Sequence, residues 1–229
     1  MSSTRRNVWF YALAAGVLAG TFLAQGCSIG PEGHPPHGKI VFPNSDFYDK
    51  SGKFKVDAAK EAYLDLLVYH GYPKSDFLEK NLFVTDFGLG RFSEVGMGGC
   101  YWVNDPRAGY CGMELILLPN QMVPEHLHVK TEKAPARTQT AQIRYGKVYV
   151  YTDGPPTEKI WPKVPTIELN FITVRTEHEM ERKVGQTIEL PPMQKHWMVG
   201  APEGAVITEY STYADPDGST KFTDPKAKR

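Results

Sequence analysis

The chain has 229 residues, a formal net charge of zero and 23% charged residues. That balance excludes a basic nucleic-acid surface, and no basic stripe interleaved with aromatics occurs. A hydrophobic fraction of 41% supports a packed core, while 12% aromatics and 18 prolines favour short strands and turns over a helical bundle.

Residues 1–27 read as an export signal. Arg5 and Arg6 supply the basic start, an apolar run extends from Val8 to Ala24, and small residues precede Cys27. "LAQGC" resembles a bacterial lipobox, in which the cysteine is lipidated and becomes the mature N-terminus. This implies an exported protein held to a bacterial membrane only through a lipid at Cys27. The competing reading is an uncleaved anchor, for which the run is short. "TRRNVW" also resembles a twin-arginine signal. Residues 28–54 read as a tether, rich in Gly, Pro and His as far as Pro43. His34 and His37 read there as solvated bystanders.

"KVDAAKEAYLDLLVYHGYP" is the one convincing helix. Val56, Ala59, Tyr63, Leu66 and Leu67 recur at helical spacing, and Gly71 and Pro73 stop it. "SDFLEKNL" adds another turn or two, so residues 55–82 form a helical segment packing on the rest of the domain. Over 83–229 the texture changes to short runs rich in β-branched and aromatic residues. These are "LFVTDFGLG", "CYWVND", "YCGMELILLP", "QIRYGKVYVYTDG", "IELNFITVRTE", "QTIELPP" and "AVITEYSTYA". Their spacing predicts an all-β sandwich or barrel. Cys100 and Cys111 flank turn residues; a hairpin there would face the thiols toward each other. A disulfide and two buried thiols both stay open.

Chemistry concentrates on three histidines. His126 and His128 alternate, so on a strand both rings leave one face. His196 comes after the Pro-rich turn "LPPMQKHW". Three imidazoles meeting inside a small barrel invite a divalent metal. Glu209 in "ITEYS" lies one hairpin beyond His196. It reads either as a base pointing inward beside the metal or as a surface strand residue. Glu125 neighbours a ligand and suits a supporting role. Lys195 reads either as a contact to a substrate hydroxyl or as facing water by alternation, and Lys130 is a candidate substrate contact.

The layout of H-x-H, a glycine turn at Tyr145-Gly146 and a Pro-rich turn into His196 resembles the cupin superfamily. More narrowly, "YCGMELILLPNQMVPEHLH" and "IELPPMQKHWMVGAPEGAVITEYSTYADPDGSTKFTDPKAKR" are similar to cupin-type D-lyxose isomerases, over about half the chain. The resemblance implies a cupin double-stranded β-helix (jelly-roll) barrel behind a short N-terminal helical segment. It implies an aldose–ketose isomerase acting on a free sugar such as D-lyxose or D-mannose through an enediol, with Mn²⁺ or another divalent cation. It leaves room for a homodimer, since related cupins pair through barrel strands. No phosphate cradle or Arg cluster stands out, which fits an unphosphorylated sugar.

By the same resemblance His126, His128 and His196 are metal ligands and Glu209 is the base. The family's fourth ligand is a Glu on the strand leading to the glycine turn. Its place falls on Gln139, with Glu132 in "HVKTE" as the alternative. Asp224 and Arg229 match the family's "FTDP…R" ending and are implied substrate contacts. A Gln carbonyl is a neutral ligand, so it holds a cation less tightly and leaves it a stronger Lewis acid once bound. The alternative function is therefore a non-catalytic, exported sugar-binding cupin.

Overall fold

Alternation along three long strands decides which residues reach which core. A computed structural model describes residues 40–228 except 157, 159, 161–163 and 181–185, and not the side chains of 176–180. The export signal, Cys27, His34, His37 and Arg229 lie outside the described residues. A 3-10 turn at Asn44–Phe47 opens the described chain, and helices α1 (Val56–Tyr69) and α2 (Asp76–Asn81) come after it. Strands β1 (Phe83–Thr85), β2 (Met97–Asp105), β3 (Tyr110–Leu117), β4 (Met122–His128) and β5 (Gln139–Thr152) come next. A 3-10 turn at Thr166–Glu168 precedes β6 (Thr176–Met180), β7 (Thr187–Leu190), β8 (His196–Thr212) and β9 (Thr220–Phe222).

β8 is the spine of the barrel. Residues 205–212 pair with β3, and residues 196–199 pair with β4. β5 runs antiparallel along the other edge of β8, from Gln139↔Ser211 to Thr152↔His196. Both long strands therefore belong to two sheets. One sheet continues through β3, β2 and β1, with β7 beyond β5. The other continues through β4 and β9, with β6 beyond β5. This is the all-β fold expected from the sequence, with the paired strands curled over a shared interior.

The fold needs glycine where the strands bend. Gly146 on β5 (φ 68°) and Gly204 on β8 (φ 72°) lie against each other. A Cβ on Gly146 would sit 2.1 Å from the Gly204 carbonyl oxygen. Period-two alternation then sorts the side chains. Met113, Leu115, Ala205 and Ile207 enter the barrel, whereas Ile116 and Val206 point to the opposite face. That outer face is covered by α1 through Ala59, Ala62, Tyr63, Leu66 and Leu67. Val56, expected on the same stripe, is exposed at the first turn of the helix. α2 starts at Ser75, whose hydroxyl accepts from the Leu78 N–H at 3.2 Å, an N-cap of the ordinary kind.

Two local expectations are corrected, and the two readings of the cysteines are decided. Residues 44–54 are not tether: Phe47 is buried, Tyr48 bridges to Phe54, and the Tyr48 hydroxyl donates to Asp86 at 2.8 Å. Their aromatic rings pack on Phe92, which composition alone did not signal. "IELNFITVRTE" is not one strand. Its first part is the 3-10 turn at Thr166–Glu168 after Pro165, and pairing begins only at Thr176. Cys100 and Cys111 do sit on one hairpin, but its register sets Cys100 opposite Glu114 and Cys111 opposite Asn104. Both cysteines are buried and form no disulfide.

Candidate active site

His126 and His196 are direct cross-strand partners, and His128 stands two residues further along β4. Strand pairing therefore gathers the rings: centroids lie 4.2 Å apart for His126–His196, 4.9 Å for His126–His128 and 5.5 Å for His128–His196. One ring nitrogen from each lies within 4.8 Å of the others, and all three residues are buried.

Hydrogen bonds orient the rings. His126 Nδ1 lies 2.8 Å from the Pro124 carbonyl and His196 Nδ1 lies 3.1 Å from the Gln194 carbonyl. A carbonyl only accepts, so Nδ1 carries the proton in both and the lone pair is on Nε2. His128 Nδ1 lies 3.2 Å from the Thr220 hydroxyl, while its Nε2 lies 3.0 Å from a nitrogen of Arg137. Guanidinium nitrogens only donate, so the His128 lone pair is also on Nε2. Burial lowers the His196 pKa, which keeps that ring neutral at pH 7.

Gln139 and Glu209 line the same cavity, which has a volume of about 30 Å³. Both are buried, on the paired edges of β5 and β8. Among the described residues His196 Nε2 and Gln139 Oε1 have no hydrogen-bond partner. Three imidazole lone pairs and an unsatisfied amide oxygen around one small space fit a divalent cation.

The expected alternative ligand, Glu132, is exposed and does not line the cavity. Thr131 beside it is tied outward, its hydroxyl donating to Asp215 at 2.6 Å and its N–H to the Ala134 carbonyl at 2.9 Å. Lys130 is likewise exposed, just past the end of β4. Asp224 is buried but apart from the histidines. It accepts from the Lys226 N–H at 2.8 Å and lines a separate groove of about 750 Å³ with Phe83, Tyr101 and Lys221.

Glu125 is more than a neighbour of a ligand. Its carboxylate accepts from the Thr173 N–H and hydroxyl, both at 2.6 Å, the Val174 N–H at 2.8 Å and the Thr223 hydroxyl at 2.6 Å. Burial pulls its pKa upward, but these bonds outweigh burial and hold it below the usual carboxylate value. Lys195 joins the cluster rather than only facing water, with Nζ 3.0 Å from the Thr173 hydroxyl and 3.7 Å from Glu125. The clamp fixes the 173–174 loop across the wall beside His126.

The residue missing from the sequence-based expectations is Arg137. It is 4% exposed, and Nη2 lies 3.0 Å from both His128 Nε2 and Glu209 Oε1. Its signal was available: Arg137 stands two residues before Gln139, so alternation sends both to one face.

Glu168 is a further buried acid, with no hydrogen-bond partner among the described residues. Burial, then the charge of Asp224, pushes its pKa from 4.5 up to about 7. Below pH 4.5 folded and unfolded chains both hold this proton, and its stabilising effect is complete. It is lost as pH rises through about 7, because the unfolded chain releases the proton first. Glu168→Gln is expected to remove this decline. Urea unfolding should find the variant more stable relative to wild type at pH 8 than at pH 4.5, by roughly 3 kcal/mol.

The chain is 38% identical over 177 residues to the D-lyxose/D-mannose isomerase of Thermosediminibacter oceani, covering 77% of this chain and 95% of that one. The chain belongs to the D-lyxose isomerase family. A D-lyxose ketol-isomerase of Cohnella laeviribosi is 38% identical over 146 residues, covering 64% of this chain and 78% of that protein. One from a Thermofilum species is 33% identical over 174 residues, covering 76% and 94%. No family model matches the chain. Among solved structures, L-ribose isomerase from an Acinetobacter species, in complex with L-ribose, superposes with a TM-score of 0.61. It covers 80% of this chain and 95% of the other at 14% identity, so this family member shares its fold. L-ribose isomerase from Cellulomonas parahominis gives a TM-score of 0.60 at 14% identity, with the same coverage.

Proposed function

We propose that this chain interconverts a free aldose, D-lyxose or D-mannose, with its ketose. One conjunction carries the reading. A chain similar to D-lyxose isomerases over 95% of a relative's length gathers three imidazoles and the Glu209 carboxylate into one cavity. His126, His128 and His196, with Gln139, would hold the cation, which we take to be Mn²⁺. When bound, such an ion polarises the sugar carbonyl and the neighbouring hydroxyl. Glu209 takes the proton from C2 of the aldose, giving an enediol, and returns it to C1; a hydroxyl proton passes from O2 to O1. The Glu125 clamp keeps the wall beside His126 rigid and dry.

Ketose formation from D-lyxose and D-mannose, with added Mn²⁺ and after chelation, tests the reading. No ketose from either sugar while Mn²⁺ is bound would sink it. Gln139→Glu restores the acid at the family's fourth-ligand place. It is expected to tighten Mn²⁺ binding at least about tenfold in calorimetry, the scale of one added close charge. Unchanged affinity would mean that Gln139 does not face the cation.

The neutral Gln139 and the Arg137 guanidinium both favour a second reading, a sugar-binding protein without turnover. Saturable sugar binding with no ketose at saturating Mn²⁺ would select it. We also propose export and lipid attachment at Cys27, supported by the basic start, apolar run and "LAQGC". Cys27→Ala is expected to move the protein from the membrane pellet to the soluble fraction, and mass spectrometry should lose the lipid mass.

A further inference from the structure

We propose that Arg137 is a displaceable internal cation: its guanidinium and a divalent ion compete for the histidine site, and its withdrawal releases Glu209. This rests on the histidines binding a divalent cation, but not on which sugar is used. The first ground is the His128 lone pair. Arg137 Nη2 donates to His128 Nε2 at 3.0 Å, and that nitrogen has one lone pair. The guanidinium and a cation cannot both use it. The second is charge. Among the described residues that line the cavity the acidic and basic side chains are Glu209 and Arg137, and they pair with each other at 3.0 Å. A divalent ion reaching the histidines would meet the guanidinium at contact range.

The third ground is that Arg137 is poorly held where it is. Its Nε and Nη1 are buried and have no hydrogen-bond partner among the described residues. Buried donors left without partners make this position costly, so leaving it is cheaper than for a fully bonded arginine. The fourth is space. The cavity's volume of about 30 Å³ suits a water-sized group. It falls far short of the ~300 Å³ usual for a small-molecule site. Withdrawal of the guanidinium opens room, exposes the third imidazole lone pair and frees the Glu209 carboxylate in one event. Cation binding and readiness of the base are thereby coupled.

The test is Mn²⁺ titration by calorimetry of the wild-type protein and Arg137→Gln, without sugar. The variant is expected to bind Mn²⁺ at least about tenfold more tightly, since one close repulsion is gone. Because this substitution leaves Glu209 buried without its partner, a second comparison removes both charges. Arg137→Gln/Glu209→Gln should bind Mn²⁺ more tightly than Glu209→Gln alone. Equal or weaker affinity in both comparisons, or no Mn²⁺ binding by any of these proteins, overturns the proposal. Tight binding by Arg137→Gln without ketose formation would instead count against the isomerase reading and leave this one standing.

Discussion

Glu209→Gln is expected to lower ketose formation by at least about 100-fold, the usual contribution of a positioned general base. The amide keeps the shape of the side chain but cannot take the C2 proton. Its place makes it the candidate base: it is buried at 5% exposure, lines the histidine cavity, and lies on the inward face of β8 with Ile207. Loss should fall on kcat, with KM little changed, because the residue acts after the sugar is seated. Exchange of the C2 proton with deuterated solvent, monitored by NMR, should stop as well. Turnover within about threefold of wild type would assign the proton transfer to another group. The variant also leaves Arg137 without its counter-charge, so Mn²⁺ affinity should be measured beside activity.

Gly146→Ala is expected to cost about 4 kcal/mol or more, enough to unfold a typical domain in part. Two effects add at this position. The backbone is left-handed at φ 68°, which costs an L-residue roughly 1–2 kcal/mol. The new methyl would also meet the Gly204 carbonyl oxygen at 2.1 Å, with backbone on both sides and nothing able to turn away. Gly71→Ala separates the two. Its φ is 64°, yet a Cβ there meets nothing within 4 Å. It should cost only the conformational part, roughly 1–2 kcal/mol in urea unfolding. Equal losses at the two positions would mean that the crossing of β5 and β8 yields more readily than its geometry implies.

Much of this was legible because it depends on short-range periodicity. The helical stripe from Ala59 to Leu67, the strands from Phe83 onward and the shared face of His126 and His128 need only the geometry of one element. Gly146 announced a bend by itself. The tether boundary was misplaced because Phe47, Tyr48 and Phe54 are stabilised by Phe92, about forty residues away in sequence. "IELNFITVRTE" reads as a strand by composition, yet Pro165 and the Glu125 hydrogen bonds at Thr173 and Val174 make its first part a turn and a pinned loop.

At the site the division is sharper. The sequence by itself determined an all-β fold and put His126 and His128 on one face, because residue type and spacing carry those facts; that a family acid's place falls on Gln139 or Glu132 came only from the family resemblance. Only the tertiary structure decided between Gln139 and Glu132 as the group lining the cavity, since both lie within reach of the same loop. It alone placed Arg137 between His128 and Glu209, and set Asp224 in another groove. Contacts between residues about seventy positions apart depend on the register of β5 against β8. A register is set by the whole sheet, and no local pattern in either strand contains it.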